Sequence, residues 1–142
     1  MSGFTGNYSC NTLRTGLLNG TIDFATDTFY LALYTNAATL DQTTTAYTTT
    51  GEASGGNYVA GGQIVTATIS SEANNAGGST TYINFSAPSW TGAITARGAL
   101  IYTPGANGAV CVLDFGSDKT STTSFTVQMP ANTSTSALIR LV

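Results

Sequence analysis

A chain of 142 residues, 42% hydrophobic and only 8% charged, fits one domain able to bury its own core. Its charged share is about a third of the usual ~25%, and Thr, Ser, Asn and Gly stand where ions would be. Four Lys and Arg against seven Asp and Glu leave a net charge of -3, too few cations for a nucleic-acid partner.

Histidine is absent, which excludes His-dependent nucleophilic triads, HExxH zinc sites and carboxylate–His metal clusters. No apolar run nears the ~18 residues that span a bilayer, so no membrane partner is expected. The stretch Met1–Tyr8 lacks the basic and apolar regions of a secretory signal, which predicts a cytoplasmic start. Cys10 and Cys111 are the only thiols, and two reduced, packed side chains are expected.

Residues 1–10 read as an extended arm. Asn11 to Leu18 reads as a short helix: Asn11 can cap it, Leu13 and Leu17 lie one turn apart, and Gly20 follows. Thr28 to Thr35 alternates Phe29, Leu31 and Leu33 with Tyr30, Ala32 and Tyr34. Both faces are apolar or aromatic, so this strand is covered on both sides, by its own domain or by a neighbouring subunit. Residues 36–62 form a long Thr- and Gly-rich loop with few apolar anchors. Such loops are functional or contact-making, and the Thr runs are able to add short edge strands.

Further strands are predicted at Gln63–Ser70, Thr80–Ser86, Ile94–Thr103, Ala109–Phe115, Phe125–Met129 and Leu138–Val142. Turns fall at Asn74–Gly78 and Pro104–Gly108, and Pro88–Gly92 interrupts the pattern with Trp90. The expected class is all-β: an antiparallel β-sandwich or jelly roll of about seven or eight strands with one short N-terminal helix.

Little here carries chemistry. Asp23/Asp27 and Asp114/Asp118 are local carboxylate pairs at strand ends, where Asx turns explain them. Asp114-Phe115-Gly116 spells the kinase magnesium motif without the rest of a kinase, and no calcium-loop spacing follows it. Gly51–Gly56 and Gly61-Gly62 lack the Lys-Ser/Thr ending of a phosphate loop. Arg97, inside a strand pattern, pairs with a carboxylate, lies at the sheet rim or reaches across a subunit interface. Trp90 reads as a core anchor, or as a sugar platform if exposed beside Tyr47 or Tyr58. No enzymatic activity, cofactor or metal is expected. A low-charge, Thr-rich β-module suits protein–protein contact and self-association.

Four segments carry a resemblance: Asn19–Asp23 running through Thr26–Thr35, Gly56–Gln63, Trp90 with Ala96–Tyr102, and Asp114–Asp118. In this order they resemble small tailed-bacteriophage virion structural proteins of the capsid cement or decoration kind. A cement or decoration role is chosen because the chain is small, compact and single-domain, and it brings an outer-capsid location, the major capsid protein and further copies of itself as partners, and a homotrimer. The resemblance itself implies a structural component of the virion with no catalytic residues. It casts Asp23 and Asp27 as shaping the start of a strand, Gly61-Gly62 as a turn, and Arg97 as a buried or inter-subunit pair. Residues 1–8 and 36–58 are expected to make the contacts, since neither has an obvious task within the domain. The alternative is a tail or head-fibre component that touches host glycans through Trp90, Tyr47 and Tyr58. A third reading, a small glycan-acting enzyme using Asp or Glu, predicts turnover lost in Asp114→Asn; none is expected.

Overall fold

The structure is a computed structural model that describes residues 3–74 and 77–141. In chain order its elements are β1 (Tyr8–Ser9), α1 (Asn11–Asn19), β2 (Phe29–Tyr34), β3 (Gln63–Val65), β4 (Ala67–Ala73) and β5 (Ser79–Phe85). There follow β6 (Ser89–Thr91), β7 (Thr95–Tyr102), β8 (Ala109–Thr120), β9 (Ser124–Thr126) and β10 (Ile139–Leu141). The fold is all-β with one short helix, as expected, and every pairing between strands is antiparallel.

The main sheet has five strands in the order β1-β8-β7-β2-β3. A three-stranded sheet, β10-β5-β4, and the pair β6-β9 pack over one of its faces. The run Gln63 to Ser70 is two strands, not one. It changes sheets at Thr66: Val65 pairs with Phe29 in the main sheet, and Ala67 pairs with Phe85 in the other. Pro88–Gly92 does not merely interrupt the pattern, because Ser89–Thr91 pairs with Ser124–Thr126. In the turn expected at Asn74–Gly78, Asn75 and Ala76 lie outside the described residues; the Asn74 N–H donates to the Gly78 carbonyl at 3.0 Å. Met1 and Ser2 of the arm, and Val142 of the last strand, also lie outside them.

The helix ends as predicted, with Gly20 left-handed at φ 78°. Its start differs. Cys10 occupies the N-cap without a side-chain cap bond, and the Asn11 side chain instead accepts from Arg14 at 2.8 Å. Leu13 is buried and Leu17 packs partly against the core.

Strand β2 explains the architecture. Phe29, Leu31 and Leu33 join a core between the sheets with Val65, Phe85, Trp90, Ile101 and Phe125. Ala32 and Tyr34 point the other way, into a second cluster with Phe4, Cys10, Ala38, Leu40, Leu100 and Val112. Both faces are therefore covered within this one chain. The cover on the second face is the N-terminal arm and the Thr-rich loop.

That finding corrects the expectation that these two segments have no work inside the domain. Phe4 is 3% exposed and packs into the second cluster. Gly3 bridges Thr39, and the Leu40 N–H donates to the Gly3 carbonyl. Gly98 makes the seat: a Cβ there would lie 2.3 Å from the Phe4 ring. The loop adds no strand; it docks through apolar anchors and backbone bonds, among them Asn11 N–H to Gln42 O and Ala109 N–H to Thr45 O. Burying the Phe4 ring contributes on the order of 2 to 3 kcal/mol. This is reason enough for the arm to lie down.

Candidate functional site

The densest polar cluster is built around Glu52, in the Thr-rich loop. Strand β3 covers β2 only as far as Leu31. Beyond that point the β2 backbone needs other partners, and the loop supplies them. Ala53 N–H donates to the Leu33 carbonyl, Thr35 N–H donates to the Gly51 carbonyl, and Leu33 N–H donates to the Tyr58 hydroxyl at 2.9 Å. Glu52 is thereby held in a bridge to Tyr34.

Its carboxylate then gathers three donors. The Tyr47 hydroxyl donates to Oε2 at 2.6 Å, and the Tyr58 hydroxyl to Oε1 at 2.7 Å. The Gly61 N–H also donates to Oε1, at 2.7 Å. The Tyr102 hydroxyl donates to the Gly61 carbonyl at 2.7 Å, and the Tyr34 hydroxyl to the Thr48 carbonyl at 2.7 Å. The rings of Tyr47 and Tyr102 stack at 4.9 Å, and those of Tyr102 and Tyr30 at 5.7 Å. Gly62 completes the turn at φ 83°, with space for no Cβ: one would lie 1.9 Å from the Leu31 carbonyl oxygen.

Burial, and after it the hydrogen bond to the Glu52 carboxylate, pushes the Tyr47 and Tyr58 hydroxyls well above the usual phenol range. Burial raises Tyr34 as well, and raises Tyr102 to about 12. These phenols are donors committed to internal acceptors. Both oxygens of Glu52 already accept. The cluster therefore works as an anchor that fixes the loop to the sheet, and its protons have no free path to a substrate.

Trp90 is 2% exposed, in the core between the sheets, with its ring 5.4 Å from that of Tyr58. It is the core anchor and offers no face to a sugar. Tyr47 and Tyr58 are half-buried and held by Glu52. The core-anchor reading of Trp90 holds, and the alternative, a sugar platform of these three residues, does not form. Only Tyr58 and Trp90 touch as rings, inside the protein.

Arg97 pairs within its own chain. Its Nε donates to Asp114 Oδ1 at 3.0 Å, and both side chains are mostly buried. Burial alone would raise the Asp114 carboxyl, but the bonds from Arg97 and Gly116 outweigh it and hold the group below the usual range. Between the pairs Ala96/Lys119 and Gly98/Asp114, strand β8 carries Phe115–Asp118 opposite Arg97 alone. The Asp114–Asp118 motif is thus an enlarged, special β-bulge. Asp114 organises it by accepting from the Gly116 N–H at 2.8 Å.

Asp23 and Asp27 close the turn before β2, as expected. Asp23 Oδ1 accepts from Ala25 N–H and Asp27 Oδ2 from Asp23 N–H, at 2.8 and 2.9 Å. The bond from Ala25, joined by Thr26, keeps the Asp23 carboxyl low. Asp41 accepts from Thr43, and Glu72 from the Tyr82 hydroxyl. Cys10 and Cys111 are buried and unbridged, as expected. Burial lifts the Cys10 thiol to about 11 and Cys111 further.

A cleft of 460 Å³ lies between α1 and the β7–β8 hairpin and is lined by side chains such as Asn11, Thr15, Asp27 and Asn107. Its carboxylate is already bonded in the Asp23 turn. Among the described residues no three His, Cys, Asp or Glu side chains gather as a metal site. Also among them, no helix is long and apolar enough to cross a membrane.

Sequence reasoning singled out Tyr47 and Tyr58 but not Glu52, which stands between them in the chain. The usable signal was a lone acid flanked by two tyrosines in a segment otherwise poor in anchors. Compared with known proteins, the chain matches no family model, no curated protein and no solved structure.

Proposed function

We propose that this chain is a bacteriophage virion structural protein, a cement or decoration protein that binds the outer capsid surface and stiffens the shell. The observation that carries the reading is how the reactive groups are spent. Every carboxylate but Asp118 accepts an internal hydrogen bond, and the buried tyrosines donate inward. Many Thr, Ser, Asn and Gly residues are left outside with few ions, beside exposed Leu18, Val59, Ile64, Ile69 and Leu141, on a body whose loop is folded down. Such a surface makes broad hydrogen-bonded contacts without the cost of stripping water from ions. The resemblance of the four segments supports the virion setting, and the cement role adds a self-associated unit, a trimer. Copies linked to one another bind a lattice as one ligand, so modest contacts multiply.

The test is direct. Empty capsids assembled from the major capsid protein are mixed with the purified chain, sedimented, and heated. The reading expects saturable co-sedimentation and a higher temperature of shell rupture. A chain that stays in the supernatant at every ratio overturns it. A 1–8 deletion is a poor probe of contact, because removing Phe4 opens the second core. Substitutions of exposed loop threonines, Thr49 and Thr50 among them, leave the anchors in place.

A further inference from the structure

The three-stranded sheet ends in an open strand. Strand β4 pairs with β5 along its whole length, from Ala67/Phe85 to Ala73/Ser79, and no described strand pairs with its other side. The phase of that ladder is fixed at both ends: Ser86 N–H donates to the Thr66 carbonyl, and Asn74 N–H to the Gly78 carbonyl. The even-numbered residues therefore direct their peptide groups at β5. Ala67, Ile69, Ser71 and Ala73 direct theirs outward.

The other strands at sheet edges are short: β1 has two residues, and β3 and β10 have three each, against seven in β4. Strand β4 also carries none of the devices that usually blunt an edge. It has no Lys, Arg or Pro. Its one ion, Glu72, accepts from the Tyr82 hydroxyl at 3.1 Å on the adjacent strand. Ile69 is 50% exposed, and Ile64, on neighbouring β3, is 61% exposed.

The geometry points to β4 as an edge-to-edge interface between two copies of this chain, paired antiparallel about Ser70. In that register Ala67 faces Ala73 of the second copy and Ile69 faces Ser71. Every outward N–H and C=O along the strand then meets a complement. The charge pattern favours a second copy as the occupant. Each Glu72 falls opposite Thr68, a hydroxyl donor, and the two carboxylates stay four positions apart. The two Ile69 side chains become diagonal neighbours on one face and cover each other. The result is one sheet running β10-β5-β4 and on into β4-β5-β10 of the second copy. The contact is isologous and closes at two copies, whether these are single chains or members of neighbouring rings.

Ser70 would face its own copy as a non-hydrogen-bonded pair, with Cα atoms about 4.5 Å apart, within disulfide reach. The experiment uses the purified full-length chain in solution, so it does not rest on the virion reading. Ser70→Cys is oxidised mildly and run on a non-reducing gel, with Leu18→Cys on the exposed helix as control. Sedimentation then compares the parent chain with Ser71→Pro, which removes an outward N–H and leaves the β5 ladder intact. Expected are a cross-linked dimer for Ser70→Cys well above the control, and a dissociation constant raised about tenfold or more by Ser71→Pro. Ile69→Lys gives the same weakening if the proline variant fails to fold. No cross-link above the control overturns the proposal. So does an oligomer that neither edge substitution weakens. A monomeric chain whose Ser71→Pro variant loses capsid binding also overturns it, and assigns the edge to a strand of the capsid protein.

Discussion

Glu52 holds two phenols and one backbone N–H with a single side chain, so its removal strands several donors at once. Glu52→Ala is expected to cost about 2 to 3 kcal/mol, read as a lower urea midpoint with an unchanged slope, because unpaired half-buried donors lose their partner without regaining water. The tyrosines around it set an alkaline limit. The unfolded chain ionises its phenols near pH 10, whereas the fold holds Tyr102 to about 12 and Tyr34, Tyr47 and Tyr58 higher still. The unfolded state therefore releases protons first. The stability these groups contribute is complete below about pH 10 and is lost as pH rises through the folded values. Melting temperatures measured from pH 8 upward should fall past about pH 10, and the tyrosinate absorbance of Tyr34, Tyr47, Tyr58 and Tyr102 should appear only on unfolding. The thiols follow the same logic. Cys10 and Cys111 should react with a maleimide only at the rate at which the fold opens, and rapid labelling of the native chain contradicts their burial.

At the scale of elements, the arm and β7 depend on one another. Gly98 leaves the hollow that Phe4 fills, with the Leu113 carbonyl on its other side. Phe4→Ala empties the hollow and is expected to cost about 3 to 5 kcal/mol. Gly98→Ala drives a methyl into the same place and should also lower the denaturant midpoint. If both variants melt like the parent chain, the arm is not seated as described. The enlarged bulge in β8 acts on a different part of the molecule. It lets a strand that begins in the main sheet deliver Phe115 to the core beside Phe125, 6.2 Å away ring to ring. The Arg97–Asp114 pair marks the place where the two strands fall out of step.

For the molecule as a whole, Trp90 is a built-in reporter. It lies between the sheets against Tyr58, which in turn caps the β2 backbone and binds Glu52. Core, loop anchor and edge of the main sheet thus meet at one ring. Trp90 emission and far-UV circular dichroism should change together in a single urea transition, and acrylamide should quench the native fluorescence weakly. Two separated transitions would show that the loop and arm come away before the sheets do.

The all-β class, the helix with its Gly20 stop, the two-sided burial of β2 and the scaffold roles of Asp23 and Asp27 were legible from period, turn residues and polar spacing. These are short-range features, and the chain carries them locally. The pairing of β7 with β8 across the Pro104–Gly108 turn was legible too, but partners remote in sequence were not. The covering of Tyr34 and Ala32 by the chain's own arm, the sheet change at Thr66, and the gathering of Tyr47, Tyr58 and Gly61 on Glu52 join residues distant in sequence or turned by a single bend. A pattern of alternation states which faces are apolar, not what lies against them. Only the folded arrangement decides that, because contact between remote segments depends on where every turn between them sends the chain.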